Sequence, residues 1–142
     1  MQPSDLAQVL EIWLAANLQA HGFVPAGYWQ GNLPAVRQML PQAEVYVFAD
    51  DNSQHIQGFV GLEADYIAGI FVEAGARSQG IGKKLLDFLK SGRNRLTLRV
   101  YQQNERAVQF YQREKFQIVA AAVDEETGAP EFQMQWLAEN FK

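Results

Sequence analysis

The stretch from Tyr66 to Leu89 limits what this chain can fold into more than any other. It opens with Tyr66-Ile67-Ala68-Gly69-Ile70-Phe71-Val72, a short apolar run of strand length. It closes with Ile81, Leu85, Phe88 and Leu89 at helical spacing, one face of an amphipathic helix. Between them lies Arg77-Ser78-Gln79-Gly80-Ile81-Gly82. A strand, a glycine-bearing loop and a helix N-terminus make an anion site, because the first amides of a helix have no partner within it and that end carries partial positive charge. Glycines at 80 and 82 leave the main chain open to a pyrophosphate. The loop is therefore expected to hold a phosphorylated cofactor.

Two common phosphate patterns fit poorly. A Walker A loop needs lysine after its second glycine, and after Gly75 and Gly80 this chain has Ile81. A dinucleotide fingerprint starting at Gly80 meets Leu85 where its third glycine belongs, and the chain lacks the repeated strand–helix halves of that domain. A third pattern fits: glutamine or arginine, two residues, glycine, one residue, then glycine or alanine. Downstream, Asn104-Glu105-Arg106-Ala107-Val108-Gln109-Phe110-Tyr111 followed by Lys115-Phe116 matches a second segment, N-x-x-A-x-x-F-Y-x-x-x-G-F, at all but one fixed position. The two motifs flank a strand at 96–100. Together they resemble the GNAT superfamily of N-acetyltransferases, and within it the small bacterial YiaC-like acetyltransferases. The resemblance covers most of the chain.

The remaining elements follow from periodicity and turn residues. Ser4 is placed to cap a helix with the stripe Leu6, Val9, Leu10, Trp13 and Leu14, stopping near Gly22. The segment 25–41 carries Tyr28 and Trp29, then a helical patch around Val36, Met39 and Leu40. Strands are expected at 44–49 and 56–62 as a hairpin, and at 66–72, 95–101, 116–123 and 132–137, with helices at 79–90 and 105–114. The whole of 1–142 reads as a single α/β (α+β) domain. The resemblance implies the GNAT fold: a mixed, mostly antiparallel twisted sheet, splayed between the fourth and fifth family strands and flanked by four helices. Only Met1-Gln2-Pro3 precede the expected first cap, and Pro3 lacks a ladder N–H, so the family's first strand is expected to be vestigial or absent.

Composition narrows the chemistry. Hydrophobic residues at 48% and charged residues at 20% belong to a globular chain with a real core. No run has the length of a membrane span and no charged-then-apolar leader opens the chain, so neither a membrane nor secretion is expected. The absence of cysteine removes disulfides and thiolate nucleophiles and suits a cytoplasmic location. A net charge of −4 disfavours nucleic acid and suits a cationic acceptor. His21 and His55 are too few and too far apart in sequence to suggest a metal site.

What the resemblance implies is an acetyl-CoA-dependent N-acetyltransferase of bacterial type, monomeric or homodimeric. The acetyl group would pass directly to a primary amine in a ternary complex, the amine being a protein lysine or N-terminus. A small-molecule amine such as a polyamine or aminoglycoside stays open, as does a non-catalytic CoA-binding sensor. Amides from Arg77 through Ser78, Gln79, Gly80, Ile81 and Gly82 to Lys83 would hold the pyrophosphate. The backbone of Phe71 and Val72 would pair with the pantetheine arm. Tyr111 would protonate the leaving thiolate, with Phe110 beside it packing on the sheet or touching the cofactor. Asn104 caps the helix from 105, bonds pantetheine, or does both. Tyr28 and Trp29 fall where the family's acceptor loop runs. Lys115 stands where the pattern has glycine, and either accepts strain or shifts the helix end. No carboxylate among Glu44, Glu63, Asp65 and Glu73 has a defensible position as general base, and Asp124, Glu125 and Glu126 read as a solvated acidic loop.

Overall fold

The computed structural model describes residues 1–76 and 79–139. A 3-10 turn (Pro3–Asp5) leads into helix α1 (Leu6–Ala20) and then α2 (Ala26–Met39). Strands β1 (Glu44–Ala49), β2 (Ile56–Glu63) and β3 (Tyr66–Val72) follow, then α3 (Ile81–Ser91), β4 (Arg95–Tyr101), α4 (Glu105–Arg113), β5 (Gln117–Val123) and β6 (Pro130–Leu137). The strands form one six-stranded sheet in the order β1-β2-β3-β4-β6-β5.

All neighbours are antiparallel except β3 and β4, which pair in parallel at only two positions, Tyr66 with Thr97 and Ile67 with Leu98. Beyond Ile67 the two strands part. This is the expected splay, and it opens a gap in mid-sheet whose backbone groups await a partner.

Alternation along β2 builds two cores, because successive side chains point to opposite faces. Phe59, with Val45 and Ile56, meets Val9, Leu10 and Ile12 of α1 and Val36 of α2. Val60 and Leu62, with Leu96, Leu98 and Met134, meet Ile81, Leu85, Leu86 and Leu89 of α3 and Val108 and Tyr111 of α4. The first pair of helices covers one face beside the splay, and the second pair covers the other.

Several expectations are corrected. Ser4 caps nothing; it lies within the 3-10 turn, where the Asp5 carboxylate accepts the Gln2 N–H at 2.8 Å. Helix α1 does stop near Gly22 as expected, with Ala20 its last residue, His21 its cap and Gly22 next. Tyr28 and Trp29 are not on a loop: α2 is continuous from Ala26 to Met39, with Pro34 inside it. Trp29, Leu33, Val36 and Leu40 at helical spacing bury that face, and the burial offsets the hydrogen bond that Pro34 cannot donate. No strand precedes α1 among the described residues, although the Met1 amino group donates to the Val45 carbonyl at 3.1 Å on the edge of β1.

Candidate active site

Gly80 caps the N-terminus of helix α3, and its φ of 77° is left-handed, a conformation glycine adopts without steric cost. A Cβ at that position would meet nothing within 4 Å, so the turn is open on its outer side. The first bond of the helix runs from Lys84 N–H to Gly80 C=O at 3.0 Å, leaving the amides of Ile81, Gly82 and Lys83 without partners in the helix. Gly82 has a different reason to be glycine. A Cβ there would stand 3.1 Å from Cζ of Phe110, so the α4 ring would have to give by a few tenths of an ångström to admit one.

Tyr111 is buried on α4, its ring centroid 5.6 Å from Phe116 and 5.3 Å from Phe110. Burial pushes the phenol above its ordinary pKa, so it keeps its proton at neutral pH. The helix ends in a full Schellman motif, with Phe116 N–H to Tyr111 C=O at 2.9 Å and Lys115 N–H to Gln112 C=O at 3.1 Å. Lys115 accepts the left-handed strain at φ 75°.

The glycine turn and the phenol lie on one cleft of about 450 Å³ in the splay. Phe71, Val72, Gly80, Ile81, Gly82, Lys83, Asn104, Phe110 and Tyr111 all line it. That volume suits an organic ligand. Gln79 is exposed and does not line the cleft, and Arg77 and Ser78 lie outside the described residues. The Phe71 ring also packs on Phe59 at 5.0 Å, so it serves core and cleft together. The Lys83 ammonium is 3.3 Å from Glu114 and 3.5 Å from Asp87. Trp29 reaches the cleft through His21, 5.3 Å from its ring, whereas the Tyr28 hydroxyl donates to Glu126 at 2.5 Å.

Five polar or charged cleft residues were not anticipated: Asn17, His21, Arg106, Arg113 and Glu114. Asn17 is buried and donates to the Trp13 carbonyl at 2.8 Å, leaving its amide oxygen 3.0 Å from His21 Nδ1. The Asn104 oxygen accepts the Ala107 N–H at 3.3 Å as the helix cap, and its amide nitrogen lies 3.2 Å from His21 Nε2. These partners fix the tautomer: Nδ1–H donates to Asn17, and Nε2 accepts from Asn104. Burial lowers the His21 pKa to about 4, so the ring is neutral. The one available signal was the pair Asn17 and His21, one helical turn apart at the polar end of an apolar helix.

The acetyltransferase (GNAT) domain family matches residues 41–118. Peptidyl-lysine N-acetyltransferase YiaC of Escherichia coli K12 is 37% identical over 137 residues, spanning 95% of this chain and 92% of YiaC. This chain belongs to the GNAT acetyltransferase family. The solution structure of apo YjaB from Escherichia coli superposes with a TM-score of 0.85 at 25% identity, covering 96% of this chain and 93% of that one. An aminoglycoside 6'-N-acetyltransferase complexed with coenzyme A shares the fold, with a TM-score of 0.66 at 15% identity over 96% of this chain and 92% of its own.

This GNAT protein is therefore an acetyl-CoA-dependent acetyltransferase, with acetyl-CoA as co-substrate. The residues present suit that molecule. The open left-handed turn and the helix amides behind it fit a pyrophosphate, and Arg106 and Arg113 add positive charge on the cleft wall. The parted edges of β3 and β4 offer backbone groups to an amide-bearing arm. No group of three or more His, Cys, Asp or Glu able to hold a metal occurs among the described residues. No described helix is long and apolar enough to cross a membrane.

Proposed function

We propose that this enzyme moves the acetyl group of acetyl-CoA to the side-chain amine of a peptidyl lysine, by direct attack within a ternary complex in the cytoplasm. The amides of Ile81, Gly82 and Lys83 hold the pyrophosphate, the released edge at Phe71 and Val72 aligns the pantetheine, and the Tyr111 phenol donates its proton to the departing sulfur. The observation that supports this reading is that the glycine turn and Tyr111 line one and the same cleft. The lysine acceptor is supported by the names of YiaC and YjaB, both peptidyl-lysine N-acetyltransferases. Trp29, set against the cleft through His21, belongs to the acceptor side, with Tyr28 beside it holding the loop at Glu126.

The protonation step sets the test. Purified protein is incubated with acetyl-CoA and lysine peptides, and free thiol and peptide mass are followed. Tyr111→Phe is expected to lower kcat by about 10²-fold or more while leaving acetyl-CoA affinity nearly unchanged, the range that general-acid catalysis contributes. A protein that binds acetyl-CoA but acetylates no lysine would overturn the acceptor assignment. Equal turnover by Tyr111→Phe would remove the phenol from the mechanism.

A further inference from the structure

An alkyl ammonium must be received and must lose a proton before it can attack a carbonyl. The carboxylates first considered are committed or remote. Glu44 is bonded to Tyr46 and, at 2.7 Å, to Arg93; Glu73 lies 2.6 Å from His55; Glu63 and Asp65 are exposed at the turn between β2 and β3.

Glu131 on β6 differs from all of them. The residue is only 9% exposed, and its carboxylate oxygens still reach solvent, taking no hydrogen bond from the described residues. The nearest cation is Nη1 of Arg99, 4.0 Å away on a side chain that is more than half exposed. Glu131 is the cross-strand partner of Tyr101, so the two side chains share a face of the sheet. The Tyr101 ring lies 4.9 Å from His21, which lines the cleft with Tyr111. The Tyr101 hydroxyl donates to Asp124 at 2.6 Å. The groups facing Glu131 are thus Arg99 and Tyr101 from β4, Tyr66 from β3 and Asp124 from the loop. Burial, and then the charge of Asp124, raise the carboxyl above its ordinary pKa, against the pull of Arg99.

A second, independent feature lies nearby. Phe23, 37% exposed and 5.4 Å from Tyr101, gives an apolar surface beside the same wall.

We propose that Glu131 receives the acceptor's ammonium and takes its proton, which makes this face of the sheet a subsite for an alkylammonium chain such as a lysine side chain. The methylene stem lies along Phe23 and Tyr101. The Glu131 carboxylate removes one proton from the ammonium, and the freed nitrogen pair forms the bond to the thioester carbonyl carbon. The carbon–sulfur bond breaks and sulfur takes the Tyr111 proton. The second nitrogen proton restores the phenol, and the proton on Glu131 leaves to solvent, so one proton is released per acetyl group. This assignment rests on the amine-acetylating function proposed above.

The test compares wild type, Glu131→Gln and Glu131→Asp across pH, with a lysine peptide and separately with spermidine. Glu131→Gln should lower kcat/KM for the amine by about 10²-fold and abolish the acid limb of the pH–rate profile, with acetyl-CoA binding by calorimetry unchanged. Glu131→Asp should recover part of the rate. A Glu131→Gln enzyme with wild-type kcat/KM and the same acid limb overturns the assignment. Should that variant fail to fold, Phe23→Ala serves instead: it removes the exposed ring beside Tyr101 and should raise KM for the peptide while keeping kcat, and an unchanged KM counts against the subsite. If wild type acetylates spermidine but no peptide, the lysine reading fails and the Glu131 comparison is read on spermidine. If wild type acetylates neither, both fall together.

Discussion

Lys115 shows how much conformational strain one residue carries so that its neighbour is held still. Its left-handed φ of 75° closes the Schellman turn that binds the Tyr111 carbonyl to the Phe116 amide and sets the two rings edge to face. A non-glycine residue there costs on the order of 1 kcal/mol. Lys115→Gly is therefore expected to raise stability by up to about 1 kcal/mol, offset in part by the greater freedom of the unfolded glycine chain. The check is a higher denaturant midpoint at unchanged slope, with kcat close to wild type. The sequence already exposed this feature, because a helix end depends on residues within one turn of it. It did not reveal that Asn104 would meet His21, a residue 83 positions away.

At the scale of elements, α3 and α4 act as one unit behind the cleft. Gly82 admits the Phe110 ring, Lys83 pairs with Glu114, and the Lys90 ammonium donates to the Glu114 carbonyl at 2.6 Å while lying over Phe116 and Trp136. A methyl group at 82 would press on that ring at 3.1 Å, and the crowding opposes the roughly 1 kcal/mol that alanine gains over glycine within a helix. Gly82→Ala should therefore leave the unfolding midpoint near wild type while weakening acetyl-CoA binding. Gly80→Ala meets open space and should cost only the backbone strain of about 1 kcal/mol. The two midpoints, with calorimetric titration of acetyl-CoA, separate the packing glycine from the turn glycine. Both glycines were legible as a motif; their different reasons were not, because only the crossing of α4 over α3 puts Phe110 beside one of them. Helix α2 was under-read for the opposite reason. Gly27, Gly31 and Pro34 look like breakers locally, and burial of Trp29 and Val36 overrides them.

Across the whole molecule, His21 joins the two helical layers, bonding α1 through Asn17 and α4 through Asn104. Its folded pKa of about 4 lies below the 6.5 of an unhindered imidazole. As pH falls through that interval the unfolded chain binds the proton first, so the stability that depends on neutral His21 is complete above about 6.5 and is lost as pH falls towards about 4. Imidazolium would also point a second N–H at the Asn104 amide, where an acceptor is required. Replacement by glutamine, His21→Gln, should lower stability at neutral pH and flatten the acid-side decline. Urea midpoints measured through that pH range for both proteins check it; parallel declines would remove His21 as the cause.

The identity of the cofactor came from the resemblance of two motifs to a family; the order of elements, the glycine-bearing loop before α3 and the departure from glycine at the end of α4 were written in the chain itself. Each depends on backbone geometry and side chains within a few residues, so local rules suffice. The acceptor side was not. Tyr28 meets Glu126 across 98 residues, and Glu131 came to stand largely covered beside Tyr101 only when β6 paired with β4. Whether a carboxylate is wet or buried is decided by what covers it, and in this protein that cover comes from elements far away along the chain.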